Sequence, residues 1–415
     1  MRTIGRRIVA AALGALAVTT ASIGGALAQE PQKLVVWTYY VHGGQIDAMD
    51  KQTAELWATA HPDVEIEHVQ IPFDQLASKL LGSVVTGEGP DVVLDNVVVD
   101  FPTLASSGAL ADLTPYWDGY ADKTLFPDSS VWKWDDKVYN LLSYTNLLGM
   151  FMNQDAIDKL GIPAPTTVDE LEAAMAEVRA DGTYTPIAMS GVASPEGAWL
   201  FFPLLLGEGV DYCNLDKPAL QTGLERLKKW VDNGWLPQDA ATWDQADAWQ
   251  AFFSGNYAFG LNGNWNLGDV RNNATFAITT TRYPAGSQGS HVFPGGEAIG
   301  IGGFSKNPDL AWEYITTTWL SKEAGLINFD ASGQIPTRGD LAQDPAITGD
   351  TLALPFVQAA AETGAWPLNE KTAEMQNAIG TAVSEVISGQ TAPADAAATA
   401  ADAVNAAREA GGGSC

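Results

Sequence analysis

Cysteine and positive charge are both scarce in this chain. It holds two cysteines, Cys213 and Cys415, among 415 residues. A disulfide framework is therefore excluded as its main source of stability, and no bridge that matters for folding is expected. Lysine and arginine total 22 against 50 aspartates and glutamates, a formal net charge of −28. That balance argues against nucleic acid or anionic lipid as partners, and solubility alone is a sufficient use for it. The four histidines, His42, His61, His68 and His291, show no metal-ligand spacing. A phosphate-binding loop, a Gly-x-Ser-x-Gly elbow and a dinucleotide fingerprint are all missing, so neither metal nor cofactor is expected. Past the N-terminus no apolar run is long enough to cross a membrane.

What is present begins with an export signal over residues 1–28. Arg2, Arg6 and Arg7 form a basic start, Ile8 to Ala28 is apolar and small, and Ala26-Leu27-Ala28 fits a small-x-small cleavage site. No cysteine stands near the cleavage site to carry a lipid, so a free periplasmic protein is expected. Removing three arginines takes the charge to −28 − 3 = −31. The remainder is long enough for two domains with real cores.

Strands and helices then alternate. Lys33-Leu-Val-Val-Trp37 reads as a strand, Gln45 to His61 as a helix, Val64 to Ile71 as a strand and Phe73 to Thr86 as a helix. A third strand is read at Asp91-Val-Val-Leu94. This pattern predicts an α/β fold of mixed, mostly parallel sheets covered by helices on both faces, with ligands at the carboxyl ends of the strands. The loops of interest are then 38–44, 95–98, 143–146, 262–267 and 294–297. The alanine-rich end, Ala392 to Ala410, has high helix propensity and reads as a surface helix fraying into a flexible tail, 408–415.

The most informative stretch is Gly255-Asn-Tyr-Ala258-Phe-Gly-Leu-Asn-Gly263-Asn264-Trp265, after the amphipathic Trp249 to Ser254. It describes a helix stopped by glycine, a buried strand, and a glycine turn presenting an aromatic ring. The pattern Gly-x-x-Ala-x-x-x-x-Gly-x-Trp resembles the signature of the sugar-binding family of bacterial extracellular solute-binding proteins, the maltose-binding-protein-like cluster. Gly89-Pro90-Asp91, Met152-Asn-Gln-Asp155, Pro165-Thr-Thr167, Gly300 to Ser305, Asn307 to Trp312 and Gly333-Gln-Ile-Pro336-Thr-Arg338 resemble further segments of that family in the expected order.

The resemblance implies a type II-like periplasmic-binding-protein fold with a ligand cleft between two lobes. Lobe one would be 29–143 plus 285–328, and lobe two 144–284 plus 329–415. Hinges would lie at Tyr144-Thr-Asn146 and Arg282-Tyr-Pro284. It also implies a monomeric, non-enzymatic substrate-binding component of an ABC importer, delivering a carbohydrate to membrane permease subunits. A binder of a glycerophosphodiester or sulfonated sugar is the alternative, and a secreted carbohydrate-active enzyme is the alternative from another class.

A sugar offers C–H faces for aromatic rings and hydroxyls for Asp, Asn, Glu and Arg. Among 14 tryptophans, Trp37, Trp199, Trp243, Trp265 and Trp366 fall near expected cleft loops, each with core packing as its alternative. Trp132, Trp134, Trp230 and Trp319 read as packing residues. Tyr39, Tyr40 and His42 follow the first strand, and Tyr144 precedes the first crossing. Asp95 and Asn96 end the third strand, where they bind hydroxyls or cap the next helix. Asn264 donates to ligand or shapes its turn. Gly296 lets backbone approach a ligand closely, and Glu297 accepts hydroxyl hydrogens. Arg338 is the expected cation of the cleft, with a salt bridge to Asp340 as its alternative.

Overall fold

The computed structural model describes residues 32–39, 44–367 and 369–413. The export signal, Tyr40, His42 and Cys415 lie outside the described residues. Twelve strands are found among the described residues, in chain order: β1 (Gln32–Thr38), β2 (Val64–Gln70), β3 (Val92–Asn96), β4 (Val131–Trp134), β5 (Lys137–Leu142), β6 (Tyr144–Thr145), β7 (Leu148–Asn153), β8 (Thr185–Ala188), β9 (Tyr257–Gly263), β10 (Ile278–Arg282), β11 (Glu297–Ile301) and β12 (Ile335–Pro336). One sheet runs β2-β1-β3-β11-β5-β4, a second β10-β7-β9-β8, and β12 pairs with β6 between them.

The sheets are mixed, as expected, but parallel pairing is confined to β1–β2, β1–β3 and β8–β9. The remaining pairs are antiparallel: β4 and β5 form a hairpin, and strands that return from the other half of the molecule, such as β11 and β7, enter antiparallel to their neighbours. Such an insertion needs no crossover helix and so leaves no periodic signal in the sequence.

Side chains alternate across the first sheet. Leu34, Val36, Leu94 and Ile299 face one core, where Tyr314 and Ile315 of the helix Pro308–Thr318 cover them. Val93 and Ala298 face the other, against Leu76, Leu80, Phe101 and Leu104. The second sheet is buried on both faces, and every residue of β7 is buried. Leu220, Leu224 and Leu227, spaced for one helical face of Lys217–Asp232, are buried in the same core, where that helix packs against the helices Thr372–Ser388 and Pro393–Ala410.

The C-terminal helix Pro393–Ala410 is packed rather than peripheral. Ala396, Ala397, Ala400, Ala401, Val404 and Ala407 are buried, because methyl-sized side chains let the helix lie close to its neighbour Thr372–Ser388. Arg408, where a flexible tail was expected, donates Nη1 to the Cys213 carbonyl at 2.6 Å. Cys213 itself is disulfide-bonded.

Three chain segments pass between the sheets side by side. Tyr144–Asn146 leaves the first sheet, Gly295 pairs with Asn146 through bonds of 2.9 and 2.7 Å, and Ile335–Thr337 pairs with Ser143–Thr145. The second expected hinge, 282–284, sits elsewhere. Tyr283 is 1% exposed in the core of the second sheet and donates its hydroxyl to the Leu200 carbonyl, and Ala285 still bridges Thr167. The chain returns about ten residues later, at Pro294–Gly295.

Candidate binding cleft

Between the sheets lies a cleft of about 660 Å³, counting the solvent at its mouth, within the usual range for small-molecule sites. The first sheet's side contributes Tyr39, Phe73, Asn96, Val98 and Glu297. The second side contributes Trp199, Trp265, Trp366, Glu196 and Gln376.

Local sequence explains how the rings are set. A helix over Gln245–Ala251 ends in a wide turn where Gly255 adopts φ 80°, a left-handed angle other residues resist. Strand β9 follows, and the turn Asn264–Asn266 projects Trp265. The Trp265 ring folds back over Gly263: a Cβ there would stand 1.8 Å from the ring. The Trp199 ring lies against Gly295 in the same manner, 2.3 Å from where a Cβ would be. The two indoles stack, with centroids 5.5 Å apart and planes 21° apart. Trp366 is held by a 2.6 Å bond from its Nε1 to the Pro294 carbonyl and by stacking on Phe293 at 4.2 Å.

Glu297, at the start of β11, is 6% exposed. Its carboxylate accepts the hydroxyls of Tyr39 and Tyr144 and, at 3.3 Å, the Asn146 amide. Tyr39 thereby gains a fixed position on the cleft wall, edge-on to Phe73 at 5.1 Å. A recess of about 210 Å³ opens beside them and is lined by Asp95, Asn96 and Asp100. Asp95 is 2% exposed and takes the Asn140 amide on both oxygens, at 2.8 and 3.0 Å. Burial pushes its carboxyl up to about 8 and that of Asp100 up to about 6.

Of the expected residues, Tyr39, Asn96, Trp199, Trp265, Glu297 and Trp366 come together in the cleft, and Asp95 lines its side recess. Tyr144 supports Glu297 from behind. Gly296, at φ 135°, packs under Tyr144 and Leu142 instead of fronting the cavity. Asn264 takes its alternative: it is fully buried, accepts the Leu147 N–H at 2.6 Å and donates to the Gly333 carbonyl at 2.8 Å, fixing the turn to two crossing segments. Trp243 packs edge-on to Tyr257 away from the cleft, and Trp37 is partly buried against the first sheet's core, under Lys79.

Arg338 is the largest departure. It is 8% exposed and pairs with Asp122 at 2.9 Å and Asp340 at 2.8 Å, with Nη1 on the Leu320 carbonyl at 2.9 Å. Its donors are committed to loops beside the third crossing, so it supplies no charge to the cleft.

Several cleft residues escaped the sequence reading. Ser194-Pro195-Glu196 carries a legible signal, a capping serine with proline and acid in the first turn, but only as a helix start. In the fold Glu196 faces the cavity and accepts the Gln245 backbone N–H at 2.9 Å, and burial pushes its carboxyl up to about 7. Gln376 sits mid-helix and reaches across to donate to the Val98 carbonyl at 2.8 Å. Nothing local marks either residue for the cleft.

A family model described as bacterial extracellular solute-binding protein matches residues 52–355. The maltotriose-binding protein of Pyrococcus abyssi is 24% identical over 374 residues, covering 86% of this chain and 77% of that protein. Among solved structures, the maltose-bound MalE3 of T. maritima superposes with a TM-score of 0.80 at 22% identity, covering 90% of this chain and 99% of its own. A receptor of Streptomyces glaucescens, solved unliganded and with acarbose, gives 0.79 at 23% identity, over 92% and 99%. These likenesses in structure show the fold.

Proposed function

Because the chain belongs to the bacterial extracellular solute-binding proteins, whose family model spans well over half of it, we propose that it captures a carbohydrate between two lobes for an ATP-driven importer. One observation carries this reading: three indoles, Trp199, Trp265 and Trp366, front one cavity opposite Tyr39 and the buttressed Glu297. Flat apolar rings with hydrogen-bonding groups at their edges complement a pyranose, which has C–H faces and a hydroxyl rim. The names of relatives agree: maltotriose for one, maltose for another.

In this reading the first lobe is built on β1–β5 and β11 and the second on β7–β10 with the C-terminal helices. The segments at Tyr144–Asn146, Pro294–Gly295 and Ile335–Thr337 are the hinge. A ligand touching both walls binds the closed form better and shifts the population toward it, which takes roughly 5 kcal/mol of differential affinity for a nearly complete switch. The closed form then docks on permease subunits in the membrane. No described helix is long and apolar enough to cross a membrane itself.

An anionic solute loses its support with Arg338, since no described lysine, arginine or histidine lines the cavity. The test is a thermal-shift screen of neutral mono- and oligosaccharides. A true ligand at 100 times its dissociation constant raises stability by about 2.7 kcal/mol. Trp265→Ala should abolish most of that shift while leaving the unliganded melt nearly in place. A panel that never raises the melting temperature, or a sugar that is consumed with time, would refute the reading.

A further inference from the structure

The cleft, its recess and an adjoining groove form one connected space, and its electrostatics are one-sided. The groove, of about 1130 Å³ counting open solvent, shares Gln45, Glu196, Gln245 and Trp265 with the cleft and adds Asp244 and Asp269. The recess shares Tyr39, Phe73 and Asn96 with the cleft and adds Asp95 and Asp100. No described lysine, arginine or histidine lines any of the three. Among the described residues these spaces hold no group of side chains arranged to take a metal ion.

The acidic groups differ in how far the protein satisfies them. Asp95 takes Asn140 on both oxygens, and Asp269 accepts the Trp249 Nε1 at 3.1 Å. Asp244 accepts the Asp247 N–H at 2.8 Å. Glu196 has the Gln245 N–H on Oε2 alone, and its Oε1 carries no hydrogen bond among the described residues. Asn146, 3% exposed on the cleft wall, points the same way. Its amide nitrogen is spent on Glu297, and its Oδ1 has no partner among the described residues. Trp199 Nε1 in the same wall is a buried donor with no partner among the described residues, but the lining holds carboxylates and no described cation, which calls for a positively charged guest.

We propose that the ligand is an amino sugar or amino-oligosaccharide whose ammonium group pairs with Glu196 while its rings lie on Trp199, Trp265 and Trp366. This rests on the carbohydrate reading above. An ammonium gains a charge-assisted bond to the carboxylate and attraction to the indole faces, and the field of Asp244, Asp247 and Asp269 adds to both. A phosphorylated or sulfonated sugar meets the same field as repulsion. The raised carboxyl of Glu196 fits this view: burial is its main cause, and Asp244 and Asp247 push it further. An arriving cation relieves that cost. The ammonium needs Glu196 ionised, so affinity should rise with pH toward about 7 and fall again once the ligand amine loses its proton.

The test is calorimetry on the full mature chain with matched sugars: glucosamine against glucose, galactosamine against galactose, and deacetylated chitobiose against cellobiose and against diacetylchitobiose. In at least one set the amine should bind about tenfold tighter than its hydroxyl and N-acetyl counterparts, the usual gain of a charged over a neutral hydrogen bond. Glu196→Gln should cost the amine about tenfold more than it costs the hydroxyl partner. Hydroxyl or N-acetyl sugars that bind as well as the amines overturn this proposal and leave the carbohydrate reading standing. No binding by any member overturns this proposal alone, and the wider screen of neutral sugars decides the carbohydrate reading. The wild-type series decides the matter even if the variant folds poorly.

Discussion

A single methyl group placed on Gly263 should separate the setting of the Trp265 ring from the stability of the fold. Gly263 has φ −115° and ψ 169°, an extended backbone that alanine adopts freely. Restricting the unfolded chain alone would stabilise by about 0.4–1 kcal/mol. In the folded chain, however, the new Cβ falls 1.8, 2.2 and 2.3 Å from three ring carbons of Trp265. Carbon atoms rest about 3.5–4 Å apart, so the ring must swing by about 2 Å. It is free to do so because it is only partly buried at the cleft wall. The swing breaks the 5.5 Å stack on Trp199, worth about 0.5–1.5 kcal/mol, and removes the plane offered to the ligand. Losing one stacked ring costs about 1–3 kcal/mol of affinity, or about 5- to 150-fold. Calorimetry with the best sugar of the screen and a melt of the unliganded protein measure the two effects separately. Gly263→Ala should weaken binding within that range while the melting temperature moves little. In the background of Trp265→Ala it should cost no further affinity, since the clashing ring is gone. Wild-type affinity in the single variant, or additive losses in the double, would show that the ring is not set by this contact.

Two further outcomes follow from the same geometry. Arg338→Ala should destabilise the protein by about 1–3 kcal/mol, because it strips partners from Asp122, Asp340 and the Leu320 carbonyl, while ligand affinity changes by no more than about threefold. Lost affinity with an unchanged melt would return the residue to the cleft. Stability of the unliganded protein should fall as pH rises from about 4 to 8. Asp95, Asp100 and Glu196 move from ordinary values of 3.8, 3.8 and 4.5 to about 8, 6 and 7 on folding, so between those limits the folded state holds the extra protons. Asp112, Glu170, Asp181 and Glu362 shift downward and act with the opposite sign as pH drops below the ordinary carboxylate range, and His68, which burial holds below its ordinary 6.5, opposes the trend as pH rises toward 6.5. Melting curves across this range check the slope. Glu196→Gln should flatten its part between pH 4.5 and 7, and a melting temperature that climbs steadily to pH 8 would contradict the assignment.

The sequence by itself determined the local elements and the ring at the turn. The helix Phe73–Thr86 ends at a glycine with φ 71°, as its Gly87-Glu-Gly-Pro run requires, and the capping box of Thr167 and Glu170 starts the helix Val168–Asp181. The Gly263-Asn264-Trp265 turn was legible because each step depends on neighbours a few residues away. What needed the tertiary structure joins distant segments. Trp199 finds its place only against Gly295, Glu297 is held by Tyr39 and Tyr144 from other strands, and Gln376 meets Val98 across the cleft. Arg338 shows the limit most plainly. A lone arginine after a proline turn near an expected cleft has the right neighbours for a ligand contact, yet Asp122 and the Leu320 carbonyl compete for its donors. Spacing along the chain carries no information about which of two distant acceptors a long side chain will reach. Packing of whole elements decides that, and with it the sign of the charge inside the cleft.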